Sequence, residues 1–187
     1  MNYALVLIDI QKGLDQLHFY GGVRNNLTAE SNCSLLLKYF RDHDLHRVFI
    51  QHDSINPESP LHPSKKGHEI KEEVKPTVNE EVFHKSVNSA FIGTQLEHWL
   101  HQHAIDVVVM VGLTTEHCIS TSVRMSANLG FQTILIEDAT AAFQKVLPDG
   151  QVVDAEMVHQ VELANLRDEF CEIITTHALV KRIKSNI

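Results

Sequence analysis

An unbroken apolar run and the glycine that ends it constrain this chain more than any other stretch. Residues 107–111 read VVVMV, with no polar alternation, the pattern of a strand buried on both faces of a parallel sheet. Gly112 breaks the run and Cys118 follows. Ile119, Val123, Ala127 and Leu129 are then candidate inward positions of a helix that Gly130 is placed to end. Strand, turn and helix in that order set Cys118 at a helix mouth beyond the C-terminal edge of a sheet, where open α/β folds bind ligands. Backbone N–H groups at such a mouth favour a thiolate, so the spacing predicts a depressed thiol pKa. A small buried residue beside a turn would satisfy the same spacing.

The rest of the chain repeats the alternation. Residues 3–10, YALVLIDI, predict a first parallel strand with Asp9 at its exit, where a carboxylate serves as a turn cap or as an acid or base. A loop over residues 11–22 precedes a helix to about residue 43. Asn25 or Asn26 is its candidate cap, Leu35, Leu36, Tyr39 and Phe40 its buried side, and Cys33 a core position. Residues 47–51 predict a second strand, and residues 54–75, rich in Pro, Ser, His, Lys and Glu, a long surface loop. A third strand over residues 81–84 ends at Lys85. Residues 86–105 predict a helix with Ser89 as cap and Leu96, Trp99 and Leu100 as its apolar stripe. Residues 132–136 predict a fifth strand. A helix over 152–167 offers Ala155, Val158, Val161, Leu163 and Leu166 for packing. Residues 170–175, with Cys171, predict a sixth strand, and residues 178–183 a final helix. Without a repeat or second core, the expectation is one α/β domain over residues 1–187. Its form is a three-layer α/β/α sandwich around a doubly wound, six-stranded parallel sheet.

Composition removes several function classes. Net charge is −8 with no long Lys/Arg cluster, which argues against a nucleic-acid partner. Three widely spaced cysteines form neither a disulfide framework nor a zinc pattern. The apolar start meets Asp9 at once, unlike a signal peptide, and no apolar run reaches membrane-spanning length, so a cytoplasmic protein with no membrane partner is expected. His52, Asp53, His62 and His68 could assemble a metal site, but their spacings match no ligand pattern. A solvated loop is the expectation there, with no metal and no cofactor. The terminal KRIKSNI predicts a solvated tail.

Five motifs then occur in a fixed order: LVLIDIQ with Asp9 and Gln11, FHKSVNSAFIGTQL with Lys85 and Phe91, VGLTTEHCISTSVRMSANLGF with Cys118, TILIEDATAAF, and HQVELANL from His159. Together, over residues 5–183, they resemble the isochorismatase-like cysteine hydrolases, the superfamily of nicotinamidases, carbamoyl-amidases and isochorismatases. The resemblance implies a catalytic triad of Asp9, Lys85 and Cys118. Asp9 would accept the thiol proton, Lys85 would be the electrostatic partner, and Cys118 would attack a carbonyl carbon to form a thioester. It also implies oxyanion donors at the backbone N–H groups of Thr114 and Cys118, a non-proline cis peptide at Leu113–Thr114, and substrate contacts at Gln11, Leu14, Phe91 and Leu113. A homo-oligomer, dimer or tetramer, follows from the family's habit.

The departures narrow the reading. Nicotinamidases carry a metal-binding Asp-x-His after the second strand; Asp53 matches the aspartate, but Ile55 replaces the histidine. True isochorismatases do not need the cysteine, which this chain keeps, and Leu14 stands where the family has an aromatic residue. The expected substrate is a small amide, imide or carbamoyl-type compound. The alternatives are a metal-assisted nicotinamidase-like or isochorismatase-like hydrolase, a non-catalytic protein that retains the fold, and a redox protein using Cys118.

Overall fold

The computed structural model describes residues 1–185; residues 186 and 187, the end of the basic tail, lie outside them. Six parallel strands form the sheet: β1 (Tyr3–Ile8), β2 (His46–His52), β3 (Val82–Lys85), β4 (Val107–Leu113), β5 (Gln132–Ala141) and β8 (Glu172–Ile174), in the order β3-β2-β1-β4-β5-β8. The two central strands, β1 and β4, are buried along their whole length, as their uninterrupted apolar sequences require. Their side chains alternate between two cores. Leu5, Leu7 and Val109 face α1 (Ala29–Asp42) and α5 (Thr176–Lys184) through Phe40 and Leu179. Val6, Ile8 and Met110 face α2 (Leu96–Gln102), α3 (Ser120–Asn128) and α4 (Ala155–Leu166) through Leu100, Val123 and Leu166. This is the expected three-layer sandwich. Among the described residues no helix is long and apolar enough to cross a membrane.

Several local expectations are corrected. The helix expected over residues 86–105 is only α2: residues 86–95 form turns, and Ser89 accepts from the N–H of Phe91 rather than capping the helix. Neither Asn25 nor Asn26 caps α1, which starts after Thr28; Asn26 instead donates to the carbonyls of Glu137 and Thr140. Leu35 and Val161 are exposed. Cys171 precedes β8 and is buried. β5 continues to Ala141, and a small antiparallel hairpin pairs β6 (Lys145–Val146) with β7 (Val152–Val153), the latter standing where the helix over 152–167 was expected to start. Asp154 caps α4 instead, accepting from the N–H of Met157 at 2.8 Å.

The segment over residues 54–75 is the long surface loop expected, but it is tied down rather than freely solvated. Its far end is tied to the exit of β1: Lys71 N–H donates to Ile10 O and Lys12 N–H to Glu69 O, each at 2.9 Å. Its middle crosses the loop after β1 at two glycines, where a Cβ on Gly67 would meet Gly13 Cα at 2.8 Å and Pro60 O at 2.5 Å. A buried ionic cluster fixes the arrangement. Glu30 of α1 accepts two bonds from Arg24, at 2.6 and 2.8 Å, and one from Lys71 at 2.7 Å. Burial opposes the Glu30 charge, but Arg24 and Lys71 prevail and hold its pKa at about 2, below the ordinary 4.5. A depressed folded pKa means that the stabilisation is complete above about pH 4.5 and is lost as pH falls towards 2. Glu30→Gln leaves buried Arg24 without its counter-charge and Lys71 with only the exposed Asp15. We expect it to cost about 3 kcal/mol at pH 7 and to flatten the loss of stability between those pH values, as measured by urea unfolding against pH.

Candidate active site

Two unusual strand exits, side by side at the C-terminal edge of the sheet, build the site. β1 ends at Ile8, and Asp9 turns out of it with φ +51°. Its neighbour β4 reaches Gly112 with φ +124°, where a Cβ would lie 2.0 Å from the Ile8 carbonyl oxygen, so only glycine lets the two strands run together at this level. The β4–β5 register shifts between Met110 and Gly112. The Leu113–Thr114 peptide that follows is cis, and residues Thr115–Ile119 make one π-helical turn that leads into α3. Thr114 O accepts from the N–H groups of His117 and Ile119, at 3.1 and 3.2 Å, and so closes the turn that carries Cys118.

Lys85 joins the two exits from the far side of the sheet. It ends β3, in register with His52 of β2, and is 3% exposed. Its Nζ donates to Asp9 Oδ2 at 2.6 Å, Cys118 Sγ at 3.3 Å and Val87 O at 3.1 Å, and lies 3.2 Å from His52 Nδ1. Burial disfavours this ammonium, but Asp9 and the Cys118 sulfur beside it raise its pKa above the ordinary value. The thiol moves in the direction opposite to the one expected from a helix mouth. Burial pushes it up, Asp9 pushes the same way, and Lys85 offsets only part of the effect. The resting pair is therefore a protonated Cys118 beside a charged Lys85. Burial and then Lys85 lower the His52 pKa, and burial lowers that of His117.

A cavity of about 160 Å³ opens over Cys118. Of the residues that the motifs suggested, Asp9, Leu14, Leu113, Thr114 and Cys118 line it, and Lys85 lies directly behind. Gln11 and Phe91 do not line it. Gln11 is fully buried and braces the backbone: its amide pairs with both N–H and C=O of His52 and also donates to His68 O. Phe91 packs in the core against Phe131. The sequence reading missed Tyr20, Ser59, Leu61, Asn88 and His117 on the wall. His117 adjoins Cys118, and Tyr20 and Ser59 stand in loops that the sequence reading left open. Only the folding of those loops over the sheet edge reveals their role.

The candidate histidines separate into three places. His52 faces Lys85, and although Asp9, His52 and Cys118 could form a cation site, the Lys85 ammonium already contacts all three. His62 is half-buried and bonds Ser64, apart from the other two. Asp53 and His68 do meet, and His84, which the sequence reading passed over, completes the cluster: Asp53 Oδ1 lies 2.7 Å from His68 Nε2 and 3.0 Å from His84 Nδ1. One ligand atom from each lies within 4.8 Å of the others, so this donor set fits a divalent cation of zinc type without the histidine that Ile55 replaces.

Known proteins share both sequence and fold. The profile of the isochorismatase domain matches residues 3–178. An uncharacterized isochorismatase family protein of Bacillus subtilis is 47% identical over 177 residues, covering 95% of this chain and 94% of its own. The maleamate amidohydrolase of Pseudomonas putida is 37% identical over 67 residues, 36% of this chain and 32% of its own. A crystal structure from Chromobacterium violaceum, described as that of a hydrolase of the isochorismatase family, superposes with a TM-score of 0.94 at 37% identity, covering 100% of this chain and 95% of the other. With a matching profile, a close full-length relative and a shared fold in agreement, this chain belongs to the isochorismatase family of hydrolases.

Proposed function

We propose that the protein is a cysteine hydrolase that cleaves a C–N bond in a small amide, imide or carbamoyl compound. One observation carries this reading: a single buried ammonium bridges a carboxylate and a thiol at the floor of a cavity. Asp9 has one oxygen, Oδ1, without a hydrogen-bond partner, and this oxygen is the proton acceptor. The thiol gives its proton to Asp9 as Sγ attacks the carbonyl carbon, and Lys85 stabilises the sulfur's charge along the way. Backbone N–H groups of Thr114 and Cys118 receive the developing oxyanion. Asp9 returns the proton to the departing nitrogen, which leaves as ammonia or an amine. Asp9 then takes a proton from the water that hydrolyses the thioester, and the acid product leaves with the thiol restored. The amidohydrolase among the relatives supports the C–N assignment.

An ammonia-release screen of small amides and ureido compounds tests the proposal. Cys118→Ala should abolish turnover of any hit; a hit that survives the substitution would refute the nucleophile. Asp9→Asn and Lys85→Ala should each cut kcat by at least about 1,000-fold, and the double variant should be little worse than either. The two should differ at sulfur: Asp9→Asn removes the anion that raises the thiol pKa and lowers it, whereas Lys85→Ala raises it further. Thiolate absorbance against pH reads the difference.

A second reading, metal-assisted hydrolysis, is favoured by the Asp53–His68–His84 cluster. Those three side chains would hold a divalent ion, which would supply Lewis-acid polarisation of a substrate carbonyl. Metal analysis of the purified protein and of Asp53→Asn decides it: stoichiometric metal lost in the variant supports the second reading, and metal-free protein with full activity rejects it.

A further inference from the structure

The cavity over Cys118 carries information about what it accepts. Leu14, Leu61 and Leu113 make its wall largely apolar. Two buried polar atoms on residues that line it, Asp9 Oδ1 and the Tyr20 hydroxyl, have no hydrogen-bond partner. Ser59 faces the Tyr20 phenol without completing a normal hydrogen bond. Buried groups left unpaired are costly, so two on one small cavity mark where a polar ligand completes the site. Burial keeps Tyr20 a neutral phenol by pushing its pKa up to about 12.

The ionic ledger of the cavity is one-sided. Its wall holds one carboxylate, Asp9, and no arginine or lysine. The Lys85 ammonium beneath is taken up by Asp9, His52, Val87 O and Cys118. Lys145, the cation next to His117, is paired with Glu116 at 2.8 Å. Burial disfavours a proton on His117. A ligand carboxylate would thus lose its water beside Asp9 with no cation to receive it.

Taking this cavity as the hydrolase site proposed above, we infer that it selects small uncharged carbonyl compounds and rejects carboxylates. Tyr20 is the specificity-determining residue that hydrogen-bonds a polar group of the substrate. The same bias aids turnover. Hydrolysis of a neutral amide, RCONH2 + H2O → RCOO⁻ + NH4⁺, converts a preferred ligand into a rejected one, and the acid product is driven out.

Succinamide and succinamate test this, because they match in heavy atoms and differ in charge. Binding to Cys118→Ala is measured by calorimetry and turnover by wild type as ammonia release. Succinamide should bind more tightly and show at least about 100-fold higher kcat/KM. Tyr20→Phe should lose about tenfold in succinamide affinity while the Cys118 titration stays unchanged, an outcome that general damage to the site would not give. Equal or tighter binding of succinamate, no binding of either compound, or unchanged affinity in Tyr20→Phe overturns the inference. Preferential binding of succinamide without turnover leaves the selectivity standing and counts against the hydrolytic reading instead.

Discussion

The structure of this site depends on one buried ammonium. Lys85 brings a positive charge to a place with almost no solvent, which is tolerable only because Asp9 lies 2.6 Å away and a sulfur and a carbonyl take its other protons. In return it ties together the side chains of three strand ends: β3 supplies the lysine, β1 the aspartate, and the turn after β4 the cysteine. Removing the charge would leave a carboxylate buried with no counter-ion. The sheet order, with β1 and β4 adjacent at the centre, is what makes such a meeting possible, because both chains exit side by side at the switch point.

The electrostatics also explain why the thiol does not rest as a thiolate. A helix mouth and one cation lower a thiol pKa when the sulfur is solvated. Here the sulfur is buried beside an anion, and burial together with Asp9 exceeds what Lys85 returns. Holding the proton on sulfur keeps the net charge of the three side chains near zero, the cheapest state in a low-dielectric pocket.

Much of this architecture was legible in the sequence because it is local. The runs 3–8 and 107–113 are apolar without alternation, and that alone implies central parallel strands. Motif order located Asp9, Lys85 and Cys118. What failed was either a boundary or a contact made at long range. Residues 86–95 carry helix-compatible side chains, but Gly93, with φ +74°, and the buried turn around Ser89 hold them out of a helix. Gln11 carries a motif position, yet its amide braces the His52 backbone 41 residues away, a partner no spacing reveals. His84 was invisible for a similar reason: its ring is aligned with Asp53 only by the pairing of β2 with β3.

The crossing of Gly13 and Gly67 has a consequence for anyone redesigning this protein. With no room for a Cβ at Gly67, the two loops that cover the cavity are interlocked at backbone level. Grafting either loop alone from a relative would put side chains or a different backbone path into that crossing, and the recipient would lose its roof rather than gain a new preference. A combinatorial library should therefore hold both glycines and the Glu30–Lys71 tie constant, and diversify only the wall positions Leu14, Ser59 and Leu61 around them. Wholesale exchange should move the two loops as one cassette.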